Sequence, residues 1–234
     1  VEQDTGADVG APGGDTALAL GQGAGMQSKA HWERVYTTKA PTGVSWFQEH
    51  ARESVRLIAQ TGVEQVASLI DVGGGASTLV DDLLDEGYSK LTVLDLSEAA
   101  LSTARLRLGA RASEVTWLAG DITQIELPRH AYDVWHDRAV FHFLTLREER
   151  EAYVRAVLHA VKPGGHVIVA TFADDGPDHC SGLPVMRYSA DGLHAEFGAP
   201  FTLLKQLREA HRTPLGNVQK FIYCLCRKSP GRGP

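Results

Sequence analysis

Sulfur is scarce in this chain. Its 234 residues include three cysteines and two methionines, too few thiols for a disulfide framework. Cys224 and Cys226 stand two apart in a strand-like run, facing the same way without easily bonding one another. Packing is their expected role, and reduced thiols fit a cytoplasmic protein. Long apolar runs are also missing, so no membrane span is expected. The N-terminus has neither the basic start nor the continuous apolar core of a signal peptide. Basic runs are absent as well. There are 29 acids against 23 Lys and Arg, but Glu2, Asp4, Asp8 and Asp15 all fall in residues 1–25, which hold no base. The remainder is near neutral, and no nucleic-acid partner is expected.

Residues 1–25 also lack aromatics and are rich in Gly, Ala and Asp, so disorder is expected there, with Met26 the expected biological start. Histidines are present, but His136, His142, His179 and His211 form no i, i+4 pair with an acid, and no metal site is expected. His179 and Cys180 lie in "DHCSGLP", on a loop that could line a substrate pocket.

From Ser28 the character changes. "KAHWERVYTTKAPTGVSWFQEH" reads as a short helix, a loop broken at Pro41 and Gly43, and an aromatic pair. A helix over about 48–60 follows, completing a lid-and-helix segment at 26–65. Strand-like runs at 67–72, 90–95, 114–118, 132–136 and 166–172 then alternate with helix-like runs at 77–86, 98–108, 146–161 and 190–197. That order predicts an α/β, Rossmann-like doubly wound sheet, parallel strands covered by helices on both faces. Thr145 with Glu148 reads as a capping box, "KPGG" as a helix stop, and Gly87 and Gly109 as helix closures. Two final strands joined by "RTPLGN" predict an antiparallel pair. This core spans 66–228, with a disordered tail at 229–234.

In such sheets ligands lie beyond the carboxyl ends of the strands. The first strand delivers Asp71 and the turn Gly73–Gly75 to that edge, and successive glycines let a ligand approach the backbone. The second ends in Asp95, placed to accept ribose hydroxyls. The third ends in Asp121, placed for an adenine amino group. These describe an adenosine pocket. A dinucleotide site wants a third glycine where Thr78 stands, and an acid near the turn suits a cation better than phosphates. S-adenosylmethionine, with an ammonium and a sulfonium, fits.

"IDVGGGAS", "VLDLS", "AGDI", "YDVWHDRAVFHFL" and "VKPGGHVIVATF" resemble, in order and spacing, the successive motifs of class I, seven-strand S-adenosylmethionine-dependent methyltransferases. The resemblance covers about 66–172, with the terminal strand pair in place. It implies that Asp71 and the Gly73, Gly74 and Gly75 backbone hold the methionine part. It implies Asp95 with Leu96 at the ribose, Asp121 with the Ile122 backbone at adenine, and Asp137 facing the methionine or substrate side. "HWERVY…SWFQ" is similar to the aromatic lids of small thiol or thiopurine-type methyltransferases and of lysine methyltransferases acting on elongation factor or citrate synthase. Tyr36 and Trp46 are the expected pocket residues among Trp32, Tyr36, Trp46 and Phe47, supplying cation–π attraction. Asp137 is the expected orienting group, with His136 or His142 relaying a proton. Four aromatics within 32–47 favour a small-molecule acceptor. A protein lysine, a nucleotide-dependent oxidoreductase and a cofactor-binding module without turnover are the alternatives.

Overall fold

The structure, a computed structural model, describes residues 29–231. The expected N-terminal disorder, the Met26 start and residues 232–234 therefore lie outside the described residues. In chain order the elements are α1 (Lys29–Thr38), α2 (Arg52–Gln60), β1 (Ser68–Val72), α3 (Leu79–Asp85), β2 (Lys90–Asp95), α4 (Glu98–Leu108), β3 (Val115–Ala119) and β4 (Tyr132–Arg138). Then come α5 (Arg147–Ala160), β5 (Val161–Phe172), the short pair β6 (His179–Cys180) and β7 (Leu183–Pro184), α6 (Ala190–Phe197), β8 (Phe201–Arg212) and β9 (Val218–Lys228).

Seven strands form one sheet in the order β3-β2-β1-β4-β5-β9-β8. The first five are mutually parallel and β9 runs antiparallel between β5 and β8. Alternation along the strands decides what each face meets. Ile70, Val72, Trp135, Val167 and Val169 face Tyr153, Val157, Leu193 and Phe197 of α5 and α6. Leu69, Val93, Val134, Ile168 and Ala170 face Leu57 and Ile58 of α2 and Leu79, Val80 and Leu83 of α3. Each fully buried Leu, Val or Phe contributes about 2 kcal/mol, which makes this two-sided burial the main source of stability. Chain order reverses direction between β1 and β4, so the sheet opens a crevice at their carboxyl ends.

Three local readings need correction. The helix expected from 48 begins at Arg52, because the preceding residues are tied elsewhere: Asp82 of α3 accepts from the Ala51 amide (2.7 Å) and the His50 ring (2.7 Å). No capping box forms: Leu146 stands at the N-cap with no side-chain acceptor, and Glu149, not Glu148, reaches back to accept from the Leu146 amide (3.3 Å). "KPGG" does not separate helix from strand. The helix ends at Ala160 and β5 starts at once, with "KPGG" taken up in a bulge where pairing jumps from Tyr132↔Val161 to Val134↔His166. Gly87 (φ 88°) and Gly109 (φ 58°) do close their helices. Beyond residue 228, Ser229 donates its amide to the Pro200 carbonyl (2.8 Å). Among the described residues no helix is long and apolar enough to cross a membrane.

A buried chain of hydrogen bonds fixes the loop after β4: Trp135 Nε1 donates to Tyr153 Oη (2.9 Å), which donates to Asp137 Oδ2 (2.6 Å). Tyr153→Phe strands the indole N–H in the core and should cost about 1–3 kcal/mol, read as a lower urea midpoint with an unchanged slope.

Candidate active site

Gly73, Gly74 and Gly75 have a reason in the structure beyond ligand approach. Gly73 has φ 72°, a left-handed conformation that disfavours side chains, and its amide donates to the Leu94 carbonyl (2.7 Å). A Cβ on Gly74 would collide with the Asp71 carboxylate, and one on Gly75 with the Asp95 carboxylate. The turn is bare so that two acids, 6% and 7% exposed, can lie flush against it.

Asp71 is held from below. His136 Nδ1 lies 2.7 Å from Asp71 Oδ1, and His136 Nε2 lies 2.9 Å from Ser54 Oγ on α2. Both ring nitrogens are therefore engaged. Asp95 accepts from the Ser97 amide through Oδ1 (2.8 Å). Burial pushes its carboxyl up to about 7; the Ser97 amide opposes this, and the charges of Asp71 and Glu33 add to it.

Two adjoining compartments open above these acids, sharing Tyr36, Trp46, Gly73 and Arg138. The first, about 680 Å³ of open space, is lined by Asp95, Leu96, Gly120 and Ile122 together with Trp32, Tyr36, Trp46, Phe143 and Cys180. The second, about 560 Å³, is lined by Asp71, Gly73, Gly74, Thr78, Ser54 and His136. Residues expected at the site thus converge: Asp71, Gly73, Gly74, Asp95, Leu96, Ile122, Tyr36, Trp46 and His136 all border the cleft. Gly75 does not line it, its role being to seat Asp95.

Three expected site residues stand apart. Asp121 is spent on its own turn, accepting from the Thr123 amide (2.8 Å), Thr123 Oγ1 (2.7 Å) and Gln124 Nε2 (3.0 Å). Asp137 is fully buried on the far face, taking the Val140 and Phe141 amides (2.8 and 3.0 Å) and the Tyr153 hydroxyl. Burial raises it to about 6, against the Tyr153 hydrogen bond. It braces the loop and does not reach the cleft, because β4 alternation turns it away from Asp71. His142 is also fully buried; burial and the charge of Arg138 push its imidazole down to about 3. Its Nδ1 accepts from the Phe172 amide (3.3 Å), so it is a neutral packed ring rather than a relay.

Arg138 is a cleft-lining position that the sequence obscured. It does not pair with Asp137 beside it. Its side chain donates to Tyr223 Oη (2.8 Å), the Trp46 carbonyl (3.2 Å) and Glu209 Oε2 (3.4 Å), and its guanidinium stacks 4.1 Å over Phe221. Tyr223 donates to Glu209 (2.7 Å) and Gln48 Nε2 donates to it (2.9 Å). Partners 71 to 92 residues away give no local signal. Cys180 forms part of the wall, as its loop suggested, with its thiol pushed up by burial to about 12. His179 is solvent-facing and paired with Asp178. No cluster able to hold a metal is found among the described residues.

A seven-strand sheet with this crevice defines a class of protein, and the comparisons agree. Residues 69–165 match the model of a family described as a methyltransferase domain. The eEF1A lysine and N-terminal methyltransferase of Mus musculus is 24% identical over 141 residues, covering 60% of this chain but only 20% of that protein. A solved structure from work on the conversion of a disulfide bond into a thioacetal group during echinomycin biosynthesis superposes with a TM-score of 0.72. It is 20% identical and covers 88% of this chain and 94% of that one. The 1,6-didemethyltoxoflavin-N1-methyltransferase of Burkholderia thailandensis, solved with 1,6-didemethyltoxoflavin and S-adenosylhomocysteine bound, gives 0.63 at 19% identity. That match covers 86% of this chain and 87% of that one. Residues 69–165 are thus similar to a methyltransferase domain, and the fold is that of the class I S-adenosylmethionine-dependent methyltransferases.

Two outcomes follow for the cofactor. Asp95 is neutral below its raised pKa and charged above it, and the charged form favours a cationic nucleoside. Affinity for S-adenosylmethionine should therefore rise about tenfold between pH 6 and pH 8 in calorimetry, and Asp95→Asn should flatten that profile. His136→Ala removes the anchor of Asp71 and should weaken S-adenosylhomocysteine about five- to tenfold, leaving adenosine affinity unchanged in the same titration.

Proposed function

We propose that the protein transfers the methyl group of S-adenosylmethionine to a compact small-molecule nucleophile. The carrying observation is the composition of the first compartment's wall. Trp32, Tyr36, Trp46, Phe143 and Cys180 contribute to it, and Arg138 is one charged lining residue there. Asp95, the other charged group of that compartment, is the residue assigned to the ribose. A lysine ammonium would enter beside the Arg138 guanidinium, and the carboxylates that line the cleft, Asp95 and Asp71, are the ones assigned to the cofactor. A flat, neutral or anionic molecule would meet aromatic faces and a guanidinium edge.

The residues present fit the cofactor. Asp71 would hold the amino group of its methionine part, with the Gly73 backbone leaving room for the chain. Asp95 would take the ribose hydroxyls, and Leu96 and Ile122 would flank the adenine. Asp121 supports that wall by shaping the turn that presents Ile122. When bound, S-adenosylmethionine supplies an already activated methyl group on a sulfonium. Tyr36 and Trp46 cover that position, exclude water and offer aromatic faces to positive charge. The protein's contribution is orientation. His136 is committed to Asp71 and Ser54, and His142 is sealed in the core, so neither imidazole is aimed at an acceptor. The acceptor therefore arrives as a competent nucleophile.

The second reading, methylation of a protein lysine, is favoured by the name of the mouse relative. Incubation with methyl-labelled S-adenosylmethionine and a cell extract, followed by size separation, tests the choice. Label in the low-molecular-weight fraction is expected; label confined to protein would replace the small-molecule reading with the lysine one.

A further inference from the structure

α1 carries its aromatic residues Trp32 and Tyr36 one turn apart, on the face that roofs the cleft. Trp32 packs edge-on against Phe143 (5.1 Å between centroids) and Trp46 (5.9 Å). Between them in sequence stands Glu33, pointing to a different neighbour. Its carboxylate accepts from the Glu98 amide (2.8 Å), the Ala99 amide (3.1 Å) and Ser97 Oγ (3.1 Å). Those groups form the first turn of α4, where unpaired amides and the helix dipole attract an anion. An acid on one helix thus caps another, 65 residues away in sequence. Burial works to raise Glu33, but the two amides and the Ser97 hydroxyl outweigh it and hold the carboxyl below its usual range.

Ser97 connects this contact to the cleft. Its hydroxyl donates to Glu33 and accepts from the Ala100 amide (3.2 Å), while its own amide donates to Asp95 (2.8 Å). The residue that receives the lid therefore also orients the acid at the ribose end. We propose that Glu33 is a positioning residue: it latches the aromatic lid helix onto the first turn of α4 and, through Ser97, sets Asp95. Lid closure and readiness of the nucleoside end become one event. The effect on affinity rests on the cofactor reading above, whereas the latch itself does not.

The test uses the full chain with Glu33→Gln, which keeps size but loses charge and places N–H donors against N–H donors. Amide hydrogen exchange is followed over α1, and S-adenosylhomocysteine binding is measured by calorimetry. Expected are exchange over residues 29–38 about tenfold faster than in the parent, with β1 and β4 unchanged, and about tenfold weaker binding. Unchanged exchange over α1, or binding within about twofold of the parent, would overturn the proposal. Should Glu33→Gln fail to fold, Ser97→Ala decides: it removes one of the three bonds and should speed α1 exchange about threefold, and no acceleration counts against the latch. If the parent chain fails to bind S-adenosylhomocysteine, the cofactor reading falls while the exchange result still judges the latch.

Discussion

Two carboxylates pressed against one glycine turn set the terms for the rest of the molecule. β1 and β2 are adjacent and parallel, so their ends deliver Asp71 and Asp95 to the same opening. Side chains on Gly74 and Gly75 would push those acids out of place. Both are nearly buried, and the raised proton affinity of Asp95 records how poorly the protein alone accommodates that much negative charge. Arg138 borders the cleft, but Glu209, Tyr223 and the Trp46 carbonyl already hold it. A nucleoside bearing positive charge relieves the imbalance, and a polyphosphate would deepen it.

The lid belongs to the same arrangement. Its first half is tied by Glu33 to the helix that follows Asp95, and its second half by the Trp46 carbonyl to Arg138. Aromatic residues between these anchors close over the acids and displace water, which strengthens electrostatic attraction below. The cleft thus has an acidic floor and an apolar roof, a combination suited to a cationic donor.

Much of the fold was legible because it depends on short-range pattern. Alternation and helical periodicity marked the strand and helix runs, and the order of "IDVGGGAS", "VLDLS" and "AGDI" placed their ends at one edge. Details that depend on distant partners were not legible. Asp82 caps α2 from another helix, so the start of α2 was misplaced. Bulging absorbs "KPGG" into β5, although its proline and glycines read as punctuation. At the site, the acids and glycines were readable from strand ends. The direction of each side chain after β4 was not: alternation sends His136 and Arg138 to the cleft side and Asp137 into the core, against the expected division of labour. Ser54 and Glu33 carry no motif, and only the packed structure shows what they hold.

A co-crystal structure with S-adenosylhomocysteine tests the central claim most directly. The account predicts ribose hydroxyls on Asp95, the amino group facing Asp71, and adenine between Leu96 and Ile122 beneath a closed Trp32–Tyr36 helix. A nucleoside lying elsewhere, with both acids untouched, would contradict it.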